Sequence, residues 1–105
     1  EFHFTSVDGI YLNNFNQYNK KQGWTKGDIL LKKLAEALIT VYSSDFIFRV
    51  YGDDFIVLHN EQLDIQNHIS KLEAILLDSD ITITYKHINI EDREIQNIQD
   101  LEKLF

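Results

Sequence analysis

The chain of 105 residues contains no cysteine and no methionine. Without cysteine there is no disulfide and no thiolate, whether as nucleophile or as metal ligand. That usage fits a reducing compartment. The missing methionine, with no initiator at the start, suggests a piece of a longer protein. No apolar run is long enough to span a bilayer, and no secretory signal opens the sequence, so no membrane contact by this stretch is expected. Positive charge is also scarce. Ten Lys and Arg stand against 17 Asp and Glu, a formal net charge of −7. Such a surface repels nucleic acid and anionic membranes unless a basic patch intervenes. Two small basic groups exist, Lys20, Lys21 and Lys26, and the pair Lys32 and Lys33. Both read as solvated faces. No internal repeat or low-complexity segment is visible.

What remains is the balance of a soluble globular domain, 44% hydrophobic and 26% charged. The length suffices for one core and not for two, so residues 1–105 are read as a single domain.

The chain is organised around residues 46–59. The apolar run Phe46-Ile47-Phe48 leads into Tyr51-Gly52-Asp53-Asp54, and Phe55-Ile56-Val57-Leu58 leads out. This pattern predicts a β-hairpin whose tip carries two adjacent carboxylates. Apolar arms fix such a turn and aim its carboxylates outward. Adjacent carboxylates on a rigid turn suit a hard cation such as Mg²⁺. They equally suit an ordinary acidic turn, because Gly and Asp are common turn formers.

Before the hairpin, residues 1–12 read as extended, with Asp8-Gly9 either a turn between two strands or a bulge within one. Residues 13–22 predict a short helix ended by Gly23. A longer helix is expected from Thr25 to Val41, with Thr25 and Asp28 resembling a capping box. Its apolar stripe is Ile29, Leu31, Leu34, Ala35, Leu38 and Val41. After the hairpin come a helix over 63–77, a half-buried strand over 81–90 and an amphipathic helix over 92–105. This order fits one antiparallel sheet with helices on one face. In a split βαβ arrangement the first strand lies beside the hairpin, so Tyr11-Leu12-Asn13 would face the turn.

Two segments in register carry a family resemblance. The stretch Arg49-Val50-Tyr51-Gly52-Asp53-Asp54-Phe55 is similar to Arg-x-Gly-Gly-Asp-Glu-Phe. Upstream, Tyr11-Leu12-Asn13-Asn14-Phe15-Asn16-Gln17-Tyr18-Asn19 followed by Gly23-Trp24-Thr25-Lys26-Gly27-Asp28 is similar to Asp-x-Asp-x-Phe-Lys-x-x-Asn followed by Gly-His-x-x-Gly-Asp. The chain thus resembles the GGDEF domain of bacterial diguanylate cyclases, which condense two GTP into cyclic di-GMP. The resemblance implies an α+β, palm or ferredoxin-like fold with a mainly antiparallel four-stranded sheet. It implies that Asn19 and Asp28 read guanine, that Gly52 lies against the nucleotide, that Asp53 is a metal ligand, and that Asp53 and Asp54 are the catalytic acidic pair.

Where the sequence departs from the family, it departs on the catalytic side. Tyr11 stands in place of the first-strand carboxylate, Asn13 in place of the second Asp, Asn16 in place of the phosphate-facing Lys, and Tyr51 in place of the first signature Gly. A neutral phenol is a poor ligand for Mg²⁺, and phosphoryl transfer depends on metal and cation neutralisation of developing charge. The expectation is a degenerate domain with little or no cyclase activity and weak Mg²⁺ binding. It would act as a GTP- or GDP-sensing or interaction module, the alternative being an active cyclase. A second register, with Asp8 as the first-strand carboxylate and Asn16 as the guanine-reading Asn, stays open at this point. The product-inhibition motif Arg-x-x-Asp matches Tyr42-Ser43-Ser44-Asp45, without the Arg, so cyclic di-GMP binding there is not expected. Tyr-Gly-Asp-Asp also resembles the catalytic hairpin of RNA-dependent RNA polymerases, but 105 residues leave no room for fingers and thumb. The resemblance further implies a neighbouring domain in the same protein, such as an EAL phosphodiesterase, and leaves a homodimer open. It implies a cytoplasmic location, either free or as the cytoplasmic part of a membrane-bound receptor.

Overall fold

A computed structural model describes residues 4–42, 46–50, 52–60, 65–91 and 96–104. Its elements run β1 (Ser6–Asn13), α1 (Phe15–Gln22), α2 (Trp24–Tyr42), β2 (Ile47–Val50), β3 (Asp54–His59), α3 (Ile65–Ile75), β4 (Thr82–Asn89) and α4 (Ile98–Glu102). The four strands form one sheet in the order β2-β3-β1-β4. Every neighbouring pair is antiparallel. The expected α+β architecture is therefore present, with β1 beside the hairpin.

The strand phase explains the layers. In β1, Ile10 and Leu12 face the helices and join Leu31, Leu34, Leu38, Phe55, Val57 and Leu72 in the larger core. On the other phase Val7 meets Ile56, Leu58, Ile90 and Leu101 in a smaller core. Alternating strand side chains point to opposite faces, so a strand apolar on both phases must be covered on both. Here α2 and α3 cover one face, as expected, and Leu101 of α4 packs on the other. The sequence reading placed all helices on one face; the apolar residues on the second phase of β1 and β3 require the additional cover.

Several boundaries differ from expectation. Asp8-Gly9 is neither turn nor bulge, because both residues sit in unbroken pairing with β3 and β4. The helix α2 begins at Trp24, so Thr25 lies in its first turn and not at its cap. In α2, Leu30 is buried and Ile29 is 49% exposed, the reverse of the stripe read from sequence. Residues 1–3 of the expected first strand and residues 63–64, 92–95 and 105 of the expected helices lie outside the described residues, as do Ser43, Ser44, Asp45 and Tyr51. No helix is long and apolar enough to cross a membrane among the described residues.

Candidate functional site

The hairpin forms as read. Val50 pairs with Asp54 at its closing end. Gly52 has φ +88°, a conformation that costs glycine little and other residues much. It is exposed, and a Cβ placed on it would meet nothing within 4 Å. Asp53 and Asp54 are both half-buried at the tip.

The β1–β3 register brings Tyr11 opposite Asp54. Burial, and then the Asp54 charge, push the Tyr11 phenol above its ordinary value, so it stays a neutral hydroxyl at physiological pH. Burial also raises the Asp54 carboxyl, and the Asp53 charge adds to this, against the opposing backbone N–H of Leu12. That N–H donates to Asp54 Oδ1 at 3.4 Å. Asn13 is engaged elsewhere. Its Nδ2 donates to Thr82 Oγ1 at 3.1 Å and to Thr84 Oγ1 at 2.9 Å. The tip thus gathers two carboxylates from one turn, with a phenol where β1 approaches them.

Asn19 and Asp28 are held by the α1–α2 packing. Asn19 is 5% exposed, and its Oδ1 has no hydrogen-bond partner. The amide fills the space left by Gly27, where a Cβ would come within 1.8 Å of Asn19 Oδ1. Asp28, the next residue, is exposed. The two residues read as contacting guanine therefore flank one point of the helix pair. Asn16 is exposed on α1. Between α2 and the edge strand β2 runs an open, largely apolar groove of about 260 Å³, lined by Leu31, Lys32, Ala35, Ile39, Ile47, Arg49 and Phe55. Lys32 lies one helical turn beyond Asp28, on the same side of α2.

The structure separates Asp8 from the turn. Asp8 is 0% exposed and pairs with Val57, three rungs from the Tyr11–Asp54 pair. At about 3.4 Å per residue that is roughly 10 Å along the strand. It also faces the helices, on the phase of Ile10 and Leu12. This overturns the register that made Asp8 the first-strand carboxylate beside the turn. Asp8 instead meets Tyr42, His59, Tyr85 and His87, a cluster that the sequence reading did not find. Its signal was present in the strand phase, with an acidic residue on the apolar side of β1. Histidines at 59 and 87 share that side of their own strands. Among the described residues, Asp8, His59 and His87 form the group of His, Cys, Asp or Glu side chains placed to share one ion, and the turn carboxylates belong to no such group of three.

Comparisons with known proteins identify the family and the fold. The family model described as "Diguanylate cyclase, GGDEF domain" matches residues 4–94. Diguanylate cyclase DosC of Shigella sonnei (strain Ss046) is 39% identical over 57 residues, 53% of this chain and 12% of that protein. Its counterpart in Escherichia coli (strain K12) matches with the same figures. The chain therefore spans only a small part of the length of these curated relatives. Among solved structures, the active GGEEF domain of a diguanylate cyclase from Vibrio cholerae superposes with a TM-score of 0.63 at 23% identity, covering 93% of this chain and 74% of that one. An EAL/GGDEF domain protein from M. capsulatus gives 0.56 at 23% identity, over 83% and 63%. These two likenesses concern the fold. With the hairpin tip, the Asn19–Gly27–Asp28 packing and a family match over most of its length, the chain belongs to the GGDEF domain family of the diguanylate cyclases.

Proposed function

We propose that this domain is a degenerate, non-catalytic GGDEF module of bacterial cyclic di-GMP signalling that senses GTP or GDP weakly or docks a neighbouring domain. The observation that carries the reading is Tyr11 standing opposite Asp54. A Mg²⁺ ion wants several hard oxygen ligands in octahedral array. At the tip the first-strand arm is a neutral phenol, and Asn13 is turned to β4. These residues do not fit a protein-held metal pair. Asp53 offers one carboxylate, enough only for weak Mg²⁺ binding.

The base-reading end supports retained guanine preference. Asp28 offers an exposed carboxylate that can accept from guanine N–H groups, while the Asn19 amide oxygen is unpartnered but buried against Gly27 and would have to turn outward to reach a base. Two or three such bonds contribute roughly 0.5–1.5 kcal/mol each, enough to rank bases and too little for tight binding once ordering costs are included. At the other end the triphosphate would meet Asp53 and Asp54 without a full complement of cations, which is repulsive.

Product inhibition at the residue-42 position is also disfavoured. Tyr42 is 2% exposed, and its hydroxyl donates to Asp8 Oδ2 at 2.7 Å, so it is committed to the core. The partner expected of such a module is another domain of a longer signalling protein, as in the EAL/GGDEF protein to which the fold is similar, or a second copy of this domain. The second reading, an active diguanylate cyclase, draws on Asp53 and Asp54 both standing at the hairpin tip. Calorimetry with GTP and ATP, with and without Mg²⁺, tests the proposal. Weak binding that favours GTP and gains little from Mg²⁺ supports it; tight, Mg²⁺-dependent GTP binding favours the active enzyme.

A further inference from the structure

On the helix-facing side of the sheet, away from the hairpin tip, three strands converge on one carboxylate. His87 of β4 places Nδ1 2.5 Å from Asp8 Oδ1. His59 of β3 places Nε2 2.9 Å from Asp8 Oδ2. The His59 side chain is 2% exposed, and neither of its ring nitrogens has an aligned hydrogen-bond partner. A buried imidazole left in that state costs free energy. Burial alone would raise the Asp8 carboxyl, but the contacts from His59, Tyr85, Tyr42 and His87 outweigh it and hold the group at about 2. Asp8 is therefore a buried anion at neutral pH.

We propose that Asp8, His59 and His87 form a binding site for one divalent transition cation of the Zn²⁺ class, clamped between β1, β3 and β4. One carboxylate oxygen and two imidazole nitrogens are the donor set such ions favour, and one that Mg²⁺ and Ca²⁺ do not. The three ligand atoms lie within 4.8 Å of one another. A tetrahedral ion with bonds of about 2.0–2.2 Å would hold them about 3.3–3.5 Å apart. That spacing needs only small side-chain adjustments from the contacts present. Tyr42 supplies the support that metal-bound carboxylates usually have, donating its hydroxyl to Asp8 from α2. Tyr42 and His59 also pack ring against ring, with centroids 5.1 Å apart. His87 gives a path from solvent, its side chain being 39% exposed. The ion would neutralise the buried Asp8 charge and tie three strands together, so binding should stabilise the fold. The site shares no residue with the nucleotide reading, and either can fail without the other.

The test uses the full chain after treatment with a chelator. Zn²⁺ is titrated by calorimetry, and Co²⁺ serves as a spectroscopic probe. One saturable site per chain, a raised melting temperature with Zn²⁺, and an intense Co²⁺ d–d band unaffected by excess Mg²⁺ are expected. The variant His87→Ala, at the exposed edge of the cluster, should keep its far-UV circular dichroism and lose the band. In Tyr42→Phe the affinity should fall by roughly 10–100-fold, as for other supports of a metal ligand. Absence of saturable Zn²⁺ binding, or binding undiminished in both His87→Ala and His59→Gln, would overturn the proposal and leave the cluster a hydrogen-bonded buried carboxylate.

Discussion

Tyr11 on β1 and Asp54 on β3 are cross-strand partners, and burial and then the Asp54 charge hold the Tyr11 phenol in its neutral form. On the proposed reading, this pair limits what the hairpin tip can bind. A carboxylate at residue 11 would add a third oxygen arm beside Asp53 and Asp54, whereas the phenol adds bulk and no charge.

The variant Tyr11→Asp should therefore make the tip metal-dependent. Without divalent cations three carboxylates crowd one point, and like charges directly opposite destabilise a strand pair by up to about 1 kcal/mol. The variant should melt below the parent in chelator and gain more than the parent from Mg²⁺. Thermal unfolding with and without Mg²⁺ checks this. An equal Mg²⁺ response in both proteins would show that residue 11 does not control metal binding.

The Asp54 carboxyl is held above its ordinary value, first by burial and then by the Asp53 charge. The folded state thus holds its proton more tightly than the unfolded chain does. Stability from this group falls as pH rises from its unfolded value near 3.8 through its folded value, and the penalty is complete above that. Asp54→Asn should accordingly raise the melting temperature at neutral pH in metal-free buffer, with the gain vanishing toward pH 3–4. A variant less stable than the parent at pH 7 would contradict the sign.

Gly27 makes room for the Asn19 amide. A methyl group there would meet Asn19 Oδ1 at 1.8 Å, Asn19 Cγ at 2.9 Å and Phe15 Cζ at 3.3 Å. Alanine gains up to about 1 kcal/mol in helix propensity over glycine, but overpacking a tight contact costs about 1–3 kcal/mol. Gly27→Ala should lower stability on balance. Asn19→Ala removes two of the three clashing atoms, so the double variant should be less destabilised than the sum of the single changes. Denaturant unfolding of the cycle measures this coupling; strict additivity would mean that the two residues do not compete for the space.

Base preference follows from the same packing. GTP should bind more tightly than ATP, and Asp28→Ala should remove the difference. Asp28 is exposed and its loss should leave folding intact. Equal affinities in the parent, or a preference unchanged in Asp28→Ala, would argue against a guanine site and favour docking alone.

Much of this was legible in the sequence because the relevant signals are local. The hairpin is written in two apolar runs about an acidic turn, and the α2 core in Leu31, Leu34 and Leu38. The placement of Tyr11 beside the turn followed from treating β1 as the neighbour of the hairpin. The cluster around Asp8 was not legible, because its members lie on β1, α2, β3 and β4 and meet only through sheet order and strand phase. Asp8-Gly9 misled for a related reason. The dipeptide favours a turn in isolation, but pairing with strands on both sides holds it extended. Cover by α4 on the second face was missed because the helices were read onto one face only, with no separate place for Leu101. Its partners, Val7, Ile56 and Leu58, lie on the phase of β1 and β3 that faces away from α2.

The proposed lack of cyclase activity is tested most directly by incubating the full chain with GTP and Mg²⁺ and measuring cyclic di-GMP by chromatography, over protein concentrations that would reveal a dimer. With Tyr11 opposite Asp54 and Asn13 turned to β4, no product above the background without protein is predicted. Sustained, Mg²⁺-dependent formation of cyclic di-GMP that disappears in Asp53→Ala would contradict it and establish the domain as a working cyclase.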